Sequence, residues 1–309
     1  MKQKLMVVCG GQSSEHIVSR MSCTSVMNNL NKENYDVTLV GIDQDGSWYI
    51  LDQNQEDLAK DTWLENAKAF QDVFGLLKQQ DVVLPILHGA FGEDGTIQGL
   101  FELAGVPYVG CRVLASAVSM DKIYTKKILE TAGIPQVKSL YVKKRYDGKL
   151  VVVNKQFDEI EDIEKTVEEE LGFPWGMICP TRETIGSSFP KTAVSSSIQS
   201  THSSTTIWRS YFESKYEDEE SKTCIPALVD QEIQDKIREY ALRVFKAVDG
   251  HGLSRVDFFL DKKSNQIYLN EINTLPGFTK ISMYPQLMND FGISYSELLD
   301  RVIKLAFDK

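Results

Sequence analysis

Two short segments carry the residue types most suited to chemistry. "SRVDFFL" (254–260) holds Arg255 and Asp257, and "LNEIN" (269–273) holds Glu271 and Asn273. Both have the β-branched and aromatic content of strands, joined by the turn "DKKSN". Strand side chains alternate in direction, so Val256, Phe258 and Leu260 take one face and Arg255 and Asp257 the other. On the return strand Leu269, Glu271 and Asn273 share a face. Closing the turn brings Asp257 near Glu271. Two carboxylates and an amide oxygen on rigid strands suit Mg²⁺, a hard ion that takes oxygen ligands and keeps water and phosphate. Arg255 beside them is placed to hold an anion or to stabilise developing negative charge. The same residues also describe a solvated strand face with one ion pair.

Other segments add to this set. "GGQSSEHIVS" (10–19) joins a strand to a helix, with Glu15 at the helix entrance. A helix N-terminus favours anions, so a carboxylate there points to an ammonium ligand or simply complements the dipole. "LHGAFGEDGTIQG" (87–99) follows a strand directly and gathers His88, Glu93 and Asp94 among glycines, either a ligand loop or a glycine-rich turn. Lys122 lies at a helix start, against the dipole, either as a lysine meeting a phosphate or, more commonly, as an exposed lysine. "CPTRETIGSSFPK" (179–191) offers Gly186, Ser187 and Ser188 as a phosphate turn, but Cys179 stands where a lysine would help.

The elements that must position these residues read as follows. "KLMVVC" (4–9) and "YDVTLVGI" (35–42) are strands flanking a helix over roughly 15–30, with Ile17, Val18, Met21, Val26, Met27 and Leu30 at helical spacing and Ser13 or Ser14 as cap. "DVVLPIL" (81–87) is a third strand, and "TIQGLFELAGV" a helix ending at Gly105. This β-α-β alternation predicts a parallel, doubly wound sheet. A second region has a helix over 121–133, strands near 138–143 and 150–154, an acidic helix over 158–171 and a strand "WGMIC". Residues 192–206 are ten-fifteenths Ser and Thr without periodicity, and read as irregular or disordered. A helix over 231–249, the hairpin and a helix over 295–307 follow. The 309 residues fit two or three domains. A net charge of -10 argues against nucleic-acid or anionic-membrane binding. Five scattered cysteines without a CxxC pair fit a reducing cytoplasm, and no signal peptide or membrane span is visible.

Taken together, "GGQSSEHIVS", "LHGAFGEDGTIQG", "MDKIYTKKIL..AGIP", "SRVDFFL" and "LNEINTLPGFT" resemble the D-alanine–D-alanine ligase family and its D-Ala–D-Ser and D-Ala–D-lactate relatives. Order and spacing agree over 1–140 and about 225–309. The resemblance implies the ATP-grasp fold, α/β with an α+β C-terminal part, divided as 1–115, 116–212 and 213–309. It implies an acyl phosphate made from ATP and D-alanine, then attacked by a second D-amino acid, for peptidoglycan precursors. ATP and Mg²⁺ (or Mn²⁺) would be the cofactors and a cytoplasmic homodimer the state. Glu15 would hold the first ammonium group, and Arg255 and Gly277 the acyl oxygen. Ser187 and Tyr216 would join the catalytic set. Lys122, Lys215, Ser188 and Asn270 would contact nucleotide, and Asp257, Glu271 and Asn273 the metal. His88, Ser282 and Met283 would border substrate. "GSWY" with "TWL" (46–64) looks more like the vancomycin-resistance D-Ala–D-Ser type.

The centre departs from the family pattern. Cys179–Pro180 replaces Lys-Pro, the acidic hinge strand that grips adenine has no counterpart, and "TKIS" replaces Thr-Ser-His-Ser. Three readings follow: an active ligase with an unusual lid, a remnant that binds without turnover, or another ATP-grasp carboxylate–amine ligase.

Overall fold

The computed structural model describes residues 2–53, 57–154, 158–171, 175–179, 184–187, 193–194, 198–199, 223–261 and 264–308, with backbone only for 175–199 and Thr223. They form two compact units. The first comprises Met1–Met120, Phe245–Arg255 and Ile272–Lys309, the second Asp121–Val244 and Val256–Glu271.

In the first unit, β1 (Gln3–Gly10), β2 (Tyr35–Ile42) and β5 (Val82–Ile86) run parallel, with β1 in the middle. Two short antiparallel strands, β3 (Trp48–Ile50) and β4 (Lys68–Phe70), extend the sheet in the order β4-β3-β2-β1-β5. Around it stand α1 (His16–Asn29), α2 (Val73–Leu77), α3 (Thr96–Ala104), α4 (Val113–Met120) and two C-terminal helices, α8 (Met283–Asp290) and α9 (Tyr295–Leu305). The expected double winding is present. Leu5, Val7 and Cys9 of β1 enter one core with Val26 of α1 and Leu299 and Val302 of α9, while Met6 and Val8 enter another with Leu77 of α2 and Phe101 of α3. A central parallel strand is covered on both faces, which is why "KLMVVC" is an apolar run and not an alternation.

Helix α1 departs from its predicted stripe. Ile17 and Met21 lie outward, 36% and 38% exposed, whereas Ser19, Ser22 and Ser25 are buried. The sheet accepts serine because each hydroxyl finds a main-chain partner. Gly10 N donates to Ser19 Oγ at 2.7 Å, and Ser19 Oγ donates to the Ile86 carbonyl. Small side chains also let the helix sit close to the strands. Neither Ser13 nor Ser14 caps it: Glu15 is the N-cap residue, and Ser13 Oγ accepts the Glu15 amide at 3.1 Å. Beneath α1 the buried thiols of Cys9 and Cys23 meet in a hydrogen bond.

The second unit holds two antiparallel sheets. One comprises β6 (Ser139–Lys144), β7 (Leu150–Val153), β8 (Glu159–Ile160), β9 (Trp175–Cys179) and β10 (Thr184–Ser187) in the order β8-β7-β6-β10-β9. The acidic helix starts later than its composition suggests. α6 spans Ile163–Leu171, because Glu159 and Ile160 pair with β7 and the Asp162 carboxylate accepts the Lys165 amide at 3.1 Å. The other sheet places β11 (Ala193–Val194), β12 (Ile198–Gln199) and β13 (Thr223–Cys224) beside β14 (Arg255–Asp261) and β15 (Gln266–Asn273). The tract 192–206, read from sequence as irregular, thus contributes two short strands. They contain its only aliphatic β-branched residues, Val194 and Ile198, the types that strands favour. Its remaining residues lie outside the described set. Helices α5 (Lys122–Thr131) and α7 (Gln231–Ala247) accompany these sheets. Among the described residues no helix is long and apolar enough to cross a membrane.

Candidate active site

In the first unit, the loop after β5 and the segment after β15 are held together by buried and partly buried polar side chains. Glu93 sits between them. Its Oε2 accepts the Gly89 amide at 2.7 Å and its Oε1 the Leu275 amide at 3.3 Å. Burial pushes this carboxyl up to about 8, and the charge of Glu15 pushes the same way. The two amides and Arg255 oppose the rise. Whereas Glu93 is partly exposed, His88 is buried. Its imidazole is pushed down to about 4, chiefly by burial, with Arg255 as a lesser contributor. It is therefore neutral at pH 7, and its Nε2 lies 3.1 Å from Ser22 Oγ on α1. Ser22 Oγ also accepts the Phe278 amide at 3.3 Å, and Ser13 Oγ donates to the His88 carbonyl at 2.6 Å. Arg255 is 8% exposed, so its guanidinium charge is held in a low-dielectric wall.

Gly89 shows how tightly this loop is drawn in. Its φ is +73°, a left-handed value, and a Cβ there would lie 2.8 Å from Glu15 Oε2 and 3.3 Å from Ser13 Oγ. Two carboxylates, Glu15 and Glu93, thus converge on one glycine.

Along the segment after β15, a Cβ on Gly277 would lie 2.8 Å from Ser282 Oγ. Ser282 Oγ accepts the Thr279 amide at 3.0 Å and lies 2.8 Å from Thr279 Oγ1. Ser282 is the N-cap residue of α8 and Met283 its first residue. Tyr295 of α9 donates its hydroxyl to the Phe278 carbonyl and so pins the same segment.

In the second unit, Lys122 opens α5 behind the N-cap Asp121, whose carboxylate accepts the Ile123 and Tyr124 amides at 3.0 and 3.3 Å. Lys122 Nζ lies 3.2 Å from Glu271 Oε2. One turn on, the largely buried Lys126 donates to the Val137 carbonyl at 3.3 Å; burial, helped by Lys122, pushes it down to about 8. Asp257 is buried on β14, the neighbour of β15, which carries Glu271. Among the described residues no three of His, Cys, Asp and Glu gather as a metal-holding group. The set read from sequence is two carboxylates and an amide, and Glu271 already faces a cation in Lys122. That donor chemistry fits Mg²⁺.

The sequence-derived residues therefore divide. Glu15, His88, Arg255, Gly277, Ser282 and Met283 belong to the first unit, as does Asn273, the last residue of β15. Lys122, Asp257, Glu271 and the exposed Asn270 belong to the second. Ser187 is described by backbone alone, at the end of β10. Ser188, Lys215 and Tyr216 lie outside the described residues. Sequence reading noted Glu93 without assigning it, and passed over Ser22, Lys126 and Tyr295. The only sequence signal for Glu93 was its place in a glycine-rich loop, which an ordinary turn shares.

Comparison with known proteins fits this geometry. Residues 4–111 match the model of the D-ala D-ala ligase N-terminus, and 192–304 that of the D-ala D-ala ligase C-terminus. A D-alanine--D-alanine ligase of Acetivibrio thermocellus is 38% identical, over all of this chain and 96% of that protein. One of Ruminiclostridium cellulolyticum is also 38% identical, with the same coverage. The first alignment runs to 378 positions, more than the 309 residues here, so that relative carries internal residues without a counterpart in this chain. Among solved structures, the VanG D-Ala:D-Ser ligase of Enterococcus faecalis superposes with a TM-score of 0.76 at 28% identity, covering 99% of this chain and 100% of that one. The Bacillus anthracis D-alanine--D-alanine ligase complexed with ATP gives 0.67 at 25%, covering 99% and 97%. These are ATP-grasp ligases, and the chain belongs to the D-alanine–D-alanine ligase family.

Proposed function

We propose that the protein is an ATP-dependent ligase that joins D-alanine to a second D-amino acid, D-Ala or D-Ser, through an acyl phosphate. The carboxylate of the first D-alanine takes the γ-phosphoryl group of ATP and ADP leaves. The amine of the second attacks the acyl carbon, phosphate departs, and a proton is lost from nitrogen. One observation carries the reading. His88 and Arg255 are buried, and the partly buried Glu93 beside them holds the Gly89 and Leu275 amides, an expensive arrangement that stability alone does not call for.

In this reading Glu15 receives the ammonium group of the first substrate. Arg255 and the Gly277 amide stabilise the oxygen on which charge develops. Neutral His88, tied to Ser22, orients the pocket wall without adding charge. Ser282 and Met283 border the second substrate, with Ser187 and Tyr216 closing the site. Lys122, Lys215, Ser188 and Asn270 contact the nucleotide. Asp257, Glu271 and Asn273 would hold Mg²⁺, which spreads phosphoryl charge when bound. The three-part division at 1–115, 116–212 and 213–309, a cytoplasmic location, homodimerisation and a link to vancomycin resistance belong to the same proposal.

A second reading is favoured by the shortened centre. Neither family model covers residues 112–191, and Cys179 occupies the expected lysine position. Losing a charge-assisted phosphate contact and the hinge weakens ATP binding, so this reading is of a chain that keeps its D-alanine pocket but turns over poorly. Phosphate release is the deciding measurement. With Mg²⁺-ATP and D-alanine, alone or with D-serine or D-lactate, turnover that depends on the D-amino acid supports the ligase. Calorimetric D-alanine binding without ATP binding or phosphate release supports the remnant.

A further inference from the structure

Within the first unit, a cavity of about 140 Å³ opens between the C-terminal end of α3, the start of α4 and the segment around His251. It has room for on the order of ten water molecules, the scale of an amino acid or a dipeptide. Phe101, Glu102, Tyr108, Gly110, Arg112 and His251 help to line it. The Phe101 and Tyr108 rings pack with centroids 5.3 Å apart and give it an aromatic wall. Two opposite charges share this cavity without pairing. Neither Glu102 nor Arg112 makes an ion pair among the described residues. The Tyr108 hydroxyl donates to Glu102 Oε1 at 2.9 Å and feels both charges: burial and Glu102 push the phenol up, and Arg112 pulls it down. Each charge also stands at the unfavourable end of a helix. Glu102 lies in the last turn of α3, the negative end. Arg112 directly precedes α4, at the positive end, and its carbonyl accepts the Ser116 amide at 2.9 Å. Both placements run against the macrodipole. Folding alone gains nothing from either charge where it stands, whereas a counter-charge in the cavity relieves both.

We infer that this cavity is a second binding site, for a small zwitterion of the amino-acid or short-peptide class. The ammonium group of the ligand meets Glu102 and the carbonyl end of α3. Its carboxylate meets Arg112 and the amide end of α4, and its aliphatic part lies on Phe101 and Tyr108. A molecule with a single charge relieves only one of the two adverse placements. The inference does not depend on the ligase reading, since no residue assigned to that mechanism lines the cavity. The two places nevertheless adjoin. A Cβ on Gly110, in the cavity wall, would lie 3.7 Å from Leu275 Cδ1 and 3.9 Å from the Thr274 carbonyl oxygen. The Leu275 amide is the one that Glu93 holds. A ligand in the cavity therefore bears on the candidate active site through this segment, as a regulator and not as a reactant.

The chain has four histidines, so NMR of the imidazole rings in the full chain reads them one by one, after each has been replaced in turn for assignment. His251 lines the cavity, its Nε2 3.2 Å from the Leu305 carbonyl oxygen, and reports on it; His88 reports on the candidate active site. The probes are D-alanine and D-alanyl-D-alanine, with propionate as an acid lacking the amine and ethylamine as an amine lacking the acid. The expected result is a saturable shift of the His251 signals with a zwitterion at millimolar concentration. Propionate and ethylamine, each without one charge-assisted contact, bind roughly tenfold more weakly or worse. Arg112→Gln and Glu102→Gln each abolish the His251 response but do not lower the urea midpoint of the free protein, because each removes an adverse charge from a helix end. His251 signals that no zwitterion moves, that follow propionate or ethylamine equally well, or that still respond in both variants overturn the site. D-Alanine that shifts His88 and leaves His251 unmoved, with the dipeptide equally silent there, overturns this inference and leaves the ligase reading standing. A shift of His251 alone supports the cavity and counts against the ligase reading.

Discussion

Gly89 concentrates what single residues contribute to this site. Its amide belongs to Glu93, its left-handed φ is one that a side chain tolerates poorly, and the space beside its Cα belongs to Glu15. Gly89→Ala is therefore expected to destabilise the protein by about 1–3 kcal/mol. It should also weaken D-alanine binding more than a surface glycine change of equal stability cost. Urea titration alongside calorimetry measures the two effects separately; an unchanged affinity would detach Gly89 from the pocket. Glu93 and His88 make a prediction with a sign. Glu93 keeps its proton to about pH 8 in the folded chain, against 4.5 when unfolded, so its contribution to stability is full below 4.5 and is lost between 4.5 and 8. His88 runs the other way. Its contribution is full above 6.5 and is lost as pH falls towards 4. The two slopes oppose each other from 4.5 to 6.5, and above 6.5 only that of Glu93 remains, about 2 kcal/mol up to pH 8. The difference in urea midpoint between wild type and Glu93→Gln should accordingly narrow or reverse across pH 6.5–8. A constant difference would show that Glu93 does not titrate there.

At the scale of elements, α1 is held by hydroxyls as much as by apolar contact. Ser19 links the Gly10 amide to the Ile86 carbonyl, one at the end of β1 and the other of β5. Ser19→Ala strands both groups in a dry place and should cost about 1–3 kcal/mol, seen in the thermal midpoint, with substrate binding weakened because Glu15 heads the same helix. Asp121→Ala removes the cap of α5 and should cost about 1 kcal/mol. Because Lys122 follows directly, any ATP affinity should fall further than this loss of stability accounts for. The sequence revealed elements well where periodicity was strong, as at β1, β2, β5, α3 and the hairpin. It placed α1 and buried Val18, Val26, Met27 and Leu30 correctly, but sent Ile17 and Met21 inward, because a rule that sends apolar residues inward has no place for a serine whose hydroxyl is satisfied by a strand. The acidity of Asp158–Asp162 reads as helix, while the pairing of β8 with β7 is a contact between residues that no local propensity encodes.

For the whole molecule, the residues of the proposed mechanism are shared between two units built on different sheet types. Motif spacing made the family legible. The electrostatic state of the pocket was not, because the burial that neutralises His88 and raises Glu93 comes from segments nearly two hundred residues apart in sequence, a separation seen directly in the Glu93–Leu275 contact. Ligand-induced stabilisation should expose any imbalance left by the shortened centre. A ligand at 100 times its Kd raises stability by about 2.7 kcal/mol. D-Alanine is expected to shift the melting transition clearly, and Mg²⁺-ATP at millimolar concentration much less. A larger shift with ATP than with D-alanine would argue that the nucleotide pocket is whole.

The contact between Cys9 and Cys23 has a practical side. Both thiols, like that of Cys111, are fully shielded, whereas Cys224 on β13 is partly open. In a variant where only Cys23 remains, an alkylating reagent can react no faster than α1 lifts from β1. The chain thus contains its own clock for the opening of the unit that carries Glu15, and ligand binding to that unit should slow it in proportion to occupancy.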